Sequence, residues 1–203
     1  MKLAILILAA GKSSRMGSIK QLLKINGKTL LENTIDISEK ISSTRVICVL
    51  GANADEIKKN TTYHNVAFVL NKNYKLGLSS SIVSGIKYLE KEKVPFDGIL
   101  ILLADQPAIR LKYYNEMINL FSKEKEKIIA SNYGNRFGVP AIFPKSFTPN
   151  LLKIKGDKGA KEFLQKNKSK VLSLTSFVNL LDIDTPAAVS YTHLRAHETR
   201  SRL

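Results

Sequence analysis

Two uninterrupted apolar runs, Leu3-Ala-Ile-Leu-Ile-Leu-Ala9 and Gly98-Ile-Leu-Ile-Leu-Leu-Ala104, constrain this chain more than any other feature of it. A strand with one wet face alternates apolar and polar residues. A run without a polar break reads instead as a strand covered on both faces, which is the situation in a parallel sheet flanked by helices. The segments between and after the two runs fit that frame. Residues 29–41 carry Leu30, Leu31, Thr34, Ile35, Ile37 and Ile41 at near-helical spacing; 45–50 is an apolar run closed by Gly51, and Asn53 is placed to cap a following helix. Residues 66–70 read as a strand, 71–80 as a polar loop, 81–91 as a helix with Ile82, Ile86 and Leu89 inward, 113–123 as a helix and 127–131 as a strand. Later segments are less regular: a strand at 141–143, helices near 147–152 and from Gly156-Asp-Lys-Gly-Ala160 to about 166, and strands at 171–174 and 180–183. Strands alternating with helices predict an α/β fold: one domain, Rossmann-like, with a doubly wound and mostly parallel sheet over residues 1–186. Residues 187–203 (AAVSYTHLRAHETRSRL) show no apolar periodicity and read as a foreign or disordered tail.

Composition narrows the function. The 203 residues and 44% hydrophobic content suit one globular domain. The formal net charge of +15 raises the question of nucleic acid, but the densest lysine runs, 87–93 and 123–127, are interleaved with glutamate in the manner of solvated helix faces. No nucleic-acid partner is expected. The apolar run at the N-terminus is too short for a membrane span and leads straight into a loop, so it reads as a first strand rather than a signal peptide, and a cytoplasmic protein without a membrane partner is expected. Cys48, the single cysteine, sits in an apolar run and reads as core. His64 has no partner at metal or triad spacing, and the absence of a Gly-x-Ser-x-Gly elbow argues against a serine hydrolase.

The first run opens onto LAAGKSSRMGSIKQLL, residues 8–23. Small residues at Ala9, Ala10 and Gly11 let backbone N–H groups approach a ligand, and Lys12, Arg15 and Lys20 surround it with positive charge, so the loop suits a polyphosphate. It matches neither familiar template. A P-loop needs a glycine where Leu6 stands, and a dinucleotide fingerprint needs glycines where Ser13 and Met16 stand. The second run ends at Asp105-Gln106-Pro107. A carboxylate at the end of a buried strand needs a positive partner, which Mg²⁺ or a lysine could provide. Both strand ends are expected to face one crevice. A second acidic site, Asp182-Ile-Asp184, could complete a metal site with either aspartate.

Leu8-Ala-Ala-Gly11, Ser13, Arg15-Met-Gly17, Lys20 and Leu22-Leu23 resemble the signature of the MobA-like nucleotidyltransferases. Leu103-Ala-Asp-Gln-Pro107, Gly138-Val-Pro-Ala-Ile-Phe143, Gly156-Asp-Lys-Gly-Ala160 and Asp182-Ile-Asp-Thr-Pro186 are similar to the molybdenum cofactor cytidylyltransferase branch. The resemblance implies the nucleotide-diphospho-sugar transferase type of fold and transfer of a nucleotidyl group from a triphosphate to a phosphorylated small molecule. CTP is the implied donor, because Ala10 stands where guanylyltransferase relatives tend to carry glycine. It implies Arg15 and Lys20 on the triphosphate, and Mg²⁺ on Asp105 with Asp182, or Asp184 as second choice. The nucleotide would lie against Leu8, Ala9, Ala10, Gly11, Lys12, Ser13 and Ser14, with Gly77, Ser79 and Ser80 closing over it from a facing loop. Molybdopterin is the implied acceptor and a molybdoenzyme chaperone a further partner; a sugar phosphate is the alternative acceptor. Val139 departs from the branch, which often has histidine between the glycine and proline.

Overall fold

The structure, a computed structural model, describes residues 1–12, 17–41 and 45–174. Ser13, Ser14, Arg15, Asp182, Asp184, the strand expected at 180–183 and the tail at 187–203 lie outside these. Strands β1 (Leu3–Ala9), β4 (Arg45–Leu50), β5 (Val66–Leu70), β6 (Gly98–Leu103), β7 (Ile128–Asn132), β8 (Phe137–Pro144) and β9 (Val171–Leu172) form one sheet in the order β5-β4-β1-β6-β8-β7-β9. A two-stranded ribbon, β2 (Lys24–Ile25) and β3 (Lys28–Thr29), stands apart. The helices are α1 (Leu30–Lys40), α2 (Ala54–Lys59), α3 (Leu78–Lys91), α4 (Leu111–Lys123), α5 (Thr148–Leu151) and α6 (Ala160–Lys166). Pairing is parallel at β4/β5, β1/β4, β1/β6 and β7/β9, and antiparallel where β8 enters between β6 and β7. The expected doubly wound, mostly parallel sheet is the fold of this chain.

The first apolar run shows why a run without polar breaks was needed. Leu3, Ile5, Ile7 and Ala9 pack with Leu31, Ile35, Tyr113, Met117 and Phe121 of α1 and α4. Ala4, Leu6 and Leu8 point the other way, into Ile82, Ile86 and Leu89 of α3. All seven are buried, so truncating Leu6 to alanine would cost about 2–5 kcal/mol. Entry into α1 is fixed by a reciprocal cap: the Thr29 hydroxyl accepts from Glu32 N at 3.1 Å, and the Glu32 carboxylate accepts from Thr29 N at 2.7 Å.

Three boundaries and one cap show where the structure departs from the sequence reading. Helix α3 starts at Leu78, so Ser79 and Ser80 are helical rather than part of a loop. Helix α4 starts at Leu111, two residues before the expected 113. Asn53 precedes α2 but adopts a left-handed backbone (φ 58°), and its side chain makes no capping hydrogen bond. Strand β8 runs well beyond 141–143, because its pairing with β7 resumes at Gly138 and Phe137 after a shift in register.

Candidate active site

Chain connections from β1 lead outward through β4 to β5, whereas β6 lies on the other side of β1. Their carboxyl ends therefore flank the point where strand order reverses, the usual place for a ligand crevice in such sheets. Ala10 and Gly11 leave β1 there, and Ala104-Asp105-Gln106 leave β6 there, tied by Ala104 N donating to Leu8 O at 3.3 Å.

A short 3-10 turn, Lys20–Leu22, bridges the two strand ends. Lys20 Nζ donates to Asp105 Oδ2 at 2.7 Å, with side-chain exposures of 12% and 28%. Of the two partners expected for Asp105, the lysine thus takes one carboxylate oxygen. The other, Oδ1, is buried and has no hydrogen-bond partner among the described residues. A buried carboxylate oxygen left over at a strand end is an acceptor looking for a cation or donor. Among the described residues no group of three or more His, Cys, Asp or Glu side chains gathers as a metal site. The next residue in the turn, Gln21, is buried and its Nε2 donates to Ala9 O at 2.9 Å and to Gly11 O at 3.1 Å. Sequence reasoning passed over Gln21; nothing in a linear pattern marks an amide between a lysine and two leucines as the brace of a loop.

The residues expected to face a nucleotide fall on both sides of this loop. Leu8, Ala9 and Ala10 are buried, whereas Gly11 and Lys12 are exposed. Gly51 lets Tyr74 and Ala10 both pack closely against its backbone: a Cβ there would fall 2.6 Å from Tyr74 Cβ and 2.9 Å from Ala10 Cβ. Gly77 has φ 93°, and a Cβ on it would lie 2.5 Å from Asp157 Cα, so the 156–159 loop docks on the start of α3. Ser79 N donates to Gly156 O at 3.2 Å across that contact. Ser79 itself is buried, and the Ser80 hydroxyl is bonded to Gly77 O at 2.7 Å and Asn73 O at 2.9 Å. Ser80 and its neighbour Ser81 are held by Asn71, also missed: its Nδ2 donates to Ser80 Oγ at 2.8 Å and Ser81 Oγ at 3.0 Å.

On the far side of Asp105, Gln106 Nε2 donates to Tyr133 Oη at 2.8 Å and Tyr133 Oη donates to Val139 O. The Arg136 guanidinium lies 5.5 Å above the Tyr133 ring. Val139-Pro140 is a cis peptide.

A sequence profile described as the MobA-like NTP transferase domain matches residues 5–171. The chain belongs to the MobA-like family. Membership makes it a nucleotidyltransferase, a class that transfers a nucleotidyl group from a nucleoside triphosphate to a phosphorylated acceptor and releases pyrophosphate. The purine catabolism protein PucB of Bacillus subtilis is 30% identical over 194 residues, covering 88% of this chain and 90% of the relative. In structure, this MobA-like protein is similar to the Rv0371c homologue of Mycobacterium sp. strain JC1, with TM-score 0.81, 27% identity and full coverage of both chains. It also shares its fold with Mycobacterium tuberculosis Rv0371c, solved in complex with manganese, with TM-score 0.75 and 23% identity over 96% of this chain and 98% of that one. Among the described residues no helix is long and apolar enough to cross a membrane.

Proposed function

We propose that this protein transfers CMP from CTP to the terminal phosphate of molybdopterin and releases pyrophosphate. The acceptor phosphate oxygen forms a bond to the α-phosphorus of CTP, the bond from that phosphorus to the bridging oxygen breaks, and pyrophosphate leaves with the electron pair. Such a step asks the protein for alignment and charge neutralisation rather than a covalent intermediate. The observation that carries the reading is the Lys20–Asp105 pair spanning the ends of β1 and β6, with Asp105 Oδ1 buried beside it and without a hydrogen-bond partner among the described residues.

Lys20 and Arg15 would hold the triphosphate and offset charge growing on the α-phosphoryl group. Asp105, through Oδ1, would hold Mg²⁺, with Asp182 as second ligand and Asp184 as the substitute. One carboxylate oxygen plus phosphates and water is a donor set that suits this ion, which keeps much of its hydration. When bound it would shield the negative charge on the phosphates. That a related fold was solved with manganese supports a divalent ion here. The nucleotide would rest on residues 8–14, with Gly77, Ser79 and Ser80 bounding its base through the first turn of α3. The acceptor would then enter from the Gln106, Tyr133 and Arg136 side.

The alternative acceptor, a sugar phosphate or other phosphate monoester, is favoured by Val139, since the branch often carries histidine there. Pyrophosphate release measured with each of the four NTPs, with molybdopterin or a panel of sugar phosphates and with Mg²⁺ present or chelated, decides. CTP- and molybdopterin-dependent release is expected. Release with a sugar phosphate only would select the alternative, and no release with any pair would overturn both.

A further inference from the structure

We propose that Gln21 is a positioning residue that presets the 9–12 backbone for an anion, an inference that rests on the nucleotidyltransferase reading and specifies how its nucleotide loop is held. In a planar trans peptide the C=O and the following N–H point in opposite directions. Because the Gln21 amide takes the carbonyls of Ala9 and Gly11, at 2.9 and 3.1 Å, it turns the N–H groups of Ala10 and Lys12 away from itself. The carbonyl between them, Ala10 O, is taken by Ala52 N at 3.2 Å. Three successive carbonyl oxygens are thereby committed to protein donors. Carbonyls turned the other way would present partial negative charge to a triphosphate.

Packing alone does not fix this arrangement at its outer end. Among the described residues nothing lies within 4 Å of a Cβ built on Gly11, and Gly11 and Lys12 are exposed, so of the described contacts it is the Gln21 amide that fixes the Gly11–Lys12 peptide. The brace is itself anchored. Gln21 is 6% exposed and lies in the same turn as Lys20, whose ion pair to Asp105 ties that turn to β6. One turn therefore sets both the charge at the crevice and the peptide orientation of the loop facing it.

The test is binding of CTP with Mg²⁺ by calorimetry, together with steady-state kinetics, for wild type, Gln21→Met and Gln21→Glu. Gln21→Met keeps the volume and loses both donors; the expected result is a Kd for CTP raised about 10- to 100-fold, the effect of one or two hydrogen bonds, with most of the loss in KM for CTP rather than in kcat. Gln21→Glu keeps the shape but sets a carboxylate against two carbonyl oxygens, so its affinity falls further at neutral pH. It recovers relative to wild type as the carboxyl protonates, above the usual ~4.3 of a glutamate because of burial, and donates again. That recovery is a signature a merely structural defect would not give, and it keeps the test open if Gln21→Met fails to fold. Wild-type affinity in both variants, or a Gln21→Glu defect independent of pH, overturns the proposal. A wild-type protein that binds none of the four NTPs overturns the nucleotidyltransferase reading itself, so the two failures are distinguishable.

Discussion

The β1/β6 crevice and the β7–β8 turn lie at the same end of the sheet's strands, yet they are held by different means. At the crevice, parallel strands bring their ends together, and a single turn supplies a charge pair and a backbone brace through Lys20 and Gln21. In the hairpin, register shifts between Ala130 and Ser131, and the strand pairing of β7 skips Val139 and Pro140. Side-chain hydroxyls take over: Tyr133 Oη donates to Val139 O, and Ser131 Oγ donates to Pro140 O at 2.8 Å while accepting from Tyr113 Oη at 3.0 Å. Bulges of this kind re-aim side chains next to functional sites. On the proposed function the difference amounts to a division of labour: fixed charge and fixed backbone for the triphosphate, and a hydroxyl-bonded bulge for the acceptor.

The strongest way to break that division is to remove the charge pair. Lys20→Ala and Asp105→Ala should each lower kcat/KM for CTP-dependent pyrophosphate release by about 10³-fold or more, as loss of a group that stabilises transition-state charge does. Activity that survives both substitutions would show that the crevice is not where the chemistry is done.

Tyr133→Phe probes the other region with a smaller effect. It removes an acceptor for Gln106 and a donor for Val139 O, and should cost about 1–2 kcal/mol in denaturant unfolding. If the hairpin serves the acceptor, KM for molybdopterin should rise several-fold while KM for CTP stays near wild type. A matching rise in both would mean that the two regions act as one.

The same contrast explains what could be read in advance. Strands β1 and β6 were legible because coverage on both faces demands an apolar residue at every position, and Asp105 stood out as a charge at the end of such a run. The fold class followed from the alternation of strands and helices. Strand β8 was legible only over Ala141, Ile142 and Phe143, which pair with β6; its remainder depends on a register shift against β7 that no local pattern encodes. The start of α3 was misread because three consecutive serines favour turns. In the fold, the Asn71 amide satisfies two of their hydroxyls and the serines enter the helix. Gln21 was invisible for a related reason: its importance lies in two carbonyls ten and twelve residues away.

The smallest expected effect asks whether the rigidity of the crevice extends outward into the β2–β3 ribbon that follows the Lys20 turn. Lys28 on that ribbon pairs with Asp36 on α1, and Tyr63 Oη donates to Asp36 Oδ1 at 2.7 Å. Burial pushes the Asp36 carboxyl up, but the hydrogen bonds from Lys28 and Tyr63 outweigh it and hold the group below its ordinary 3.8. The hydrogen bond to Asp36 and its charge raise Lys28 above 10.5. A depressed carboxyl contributes stability that is present above pH 3.8 and lost as pH falls through its folded value; a raised lysine contributes stability present below 10.5 and lost as pH rises through its own. Asp36→Asn should therefore lower Tm by about 1–3 °C between pH 5 and 9. The gap to wild type should close below pH 3.8 and again above 10.5. A gap that does not change with pH would assign the effect to the Tyr63 hydrogen bond alone, and a loss of CTP affinity in the same variant would show that the ribbon steadies the Lys20 turn.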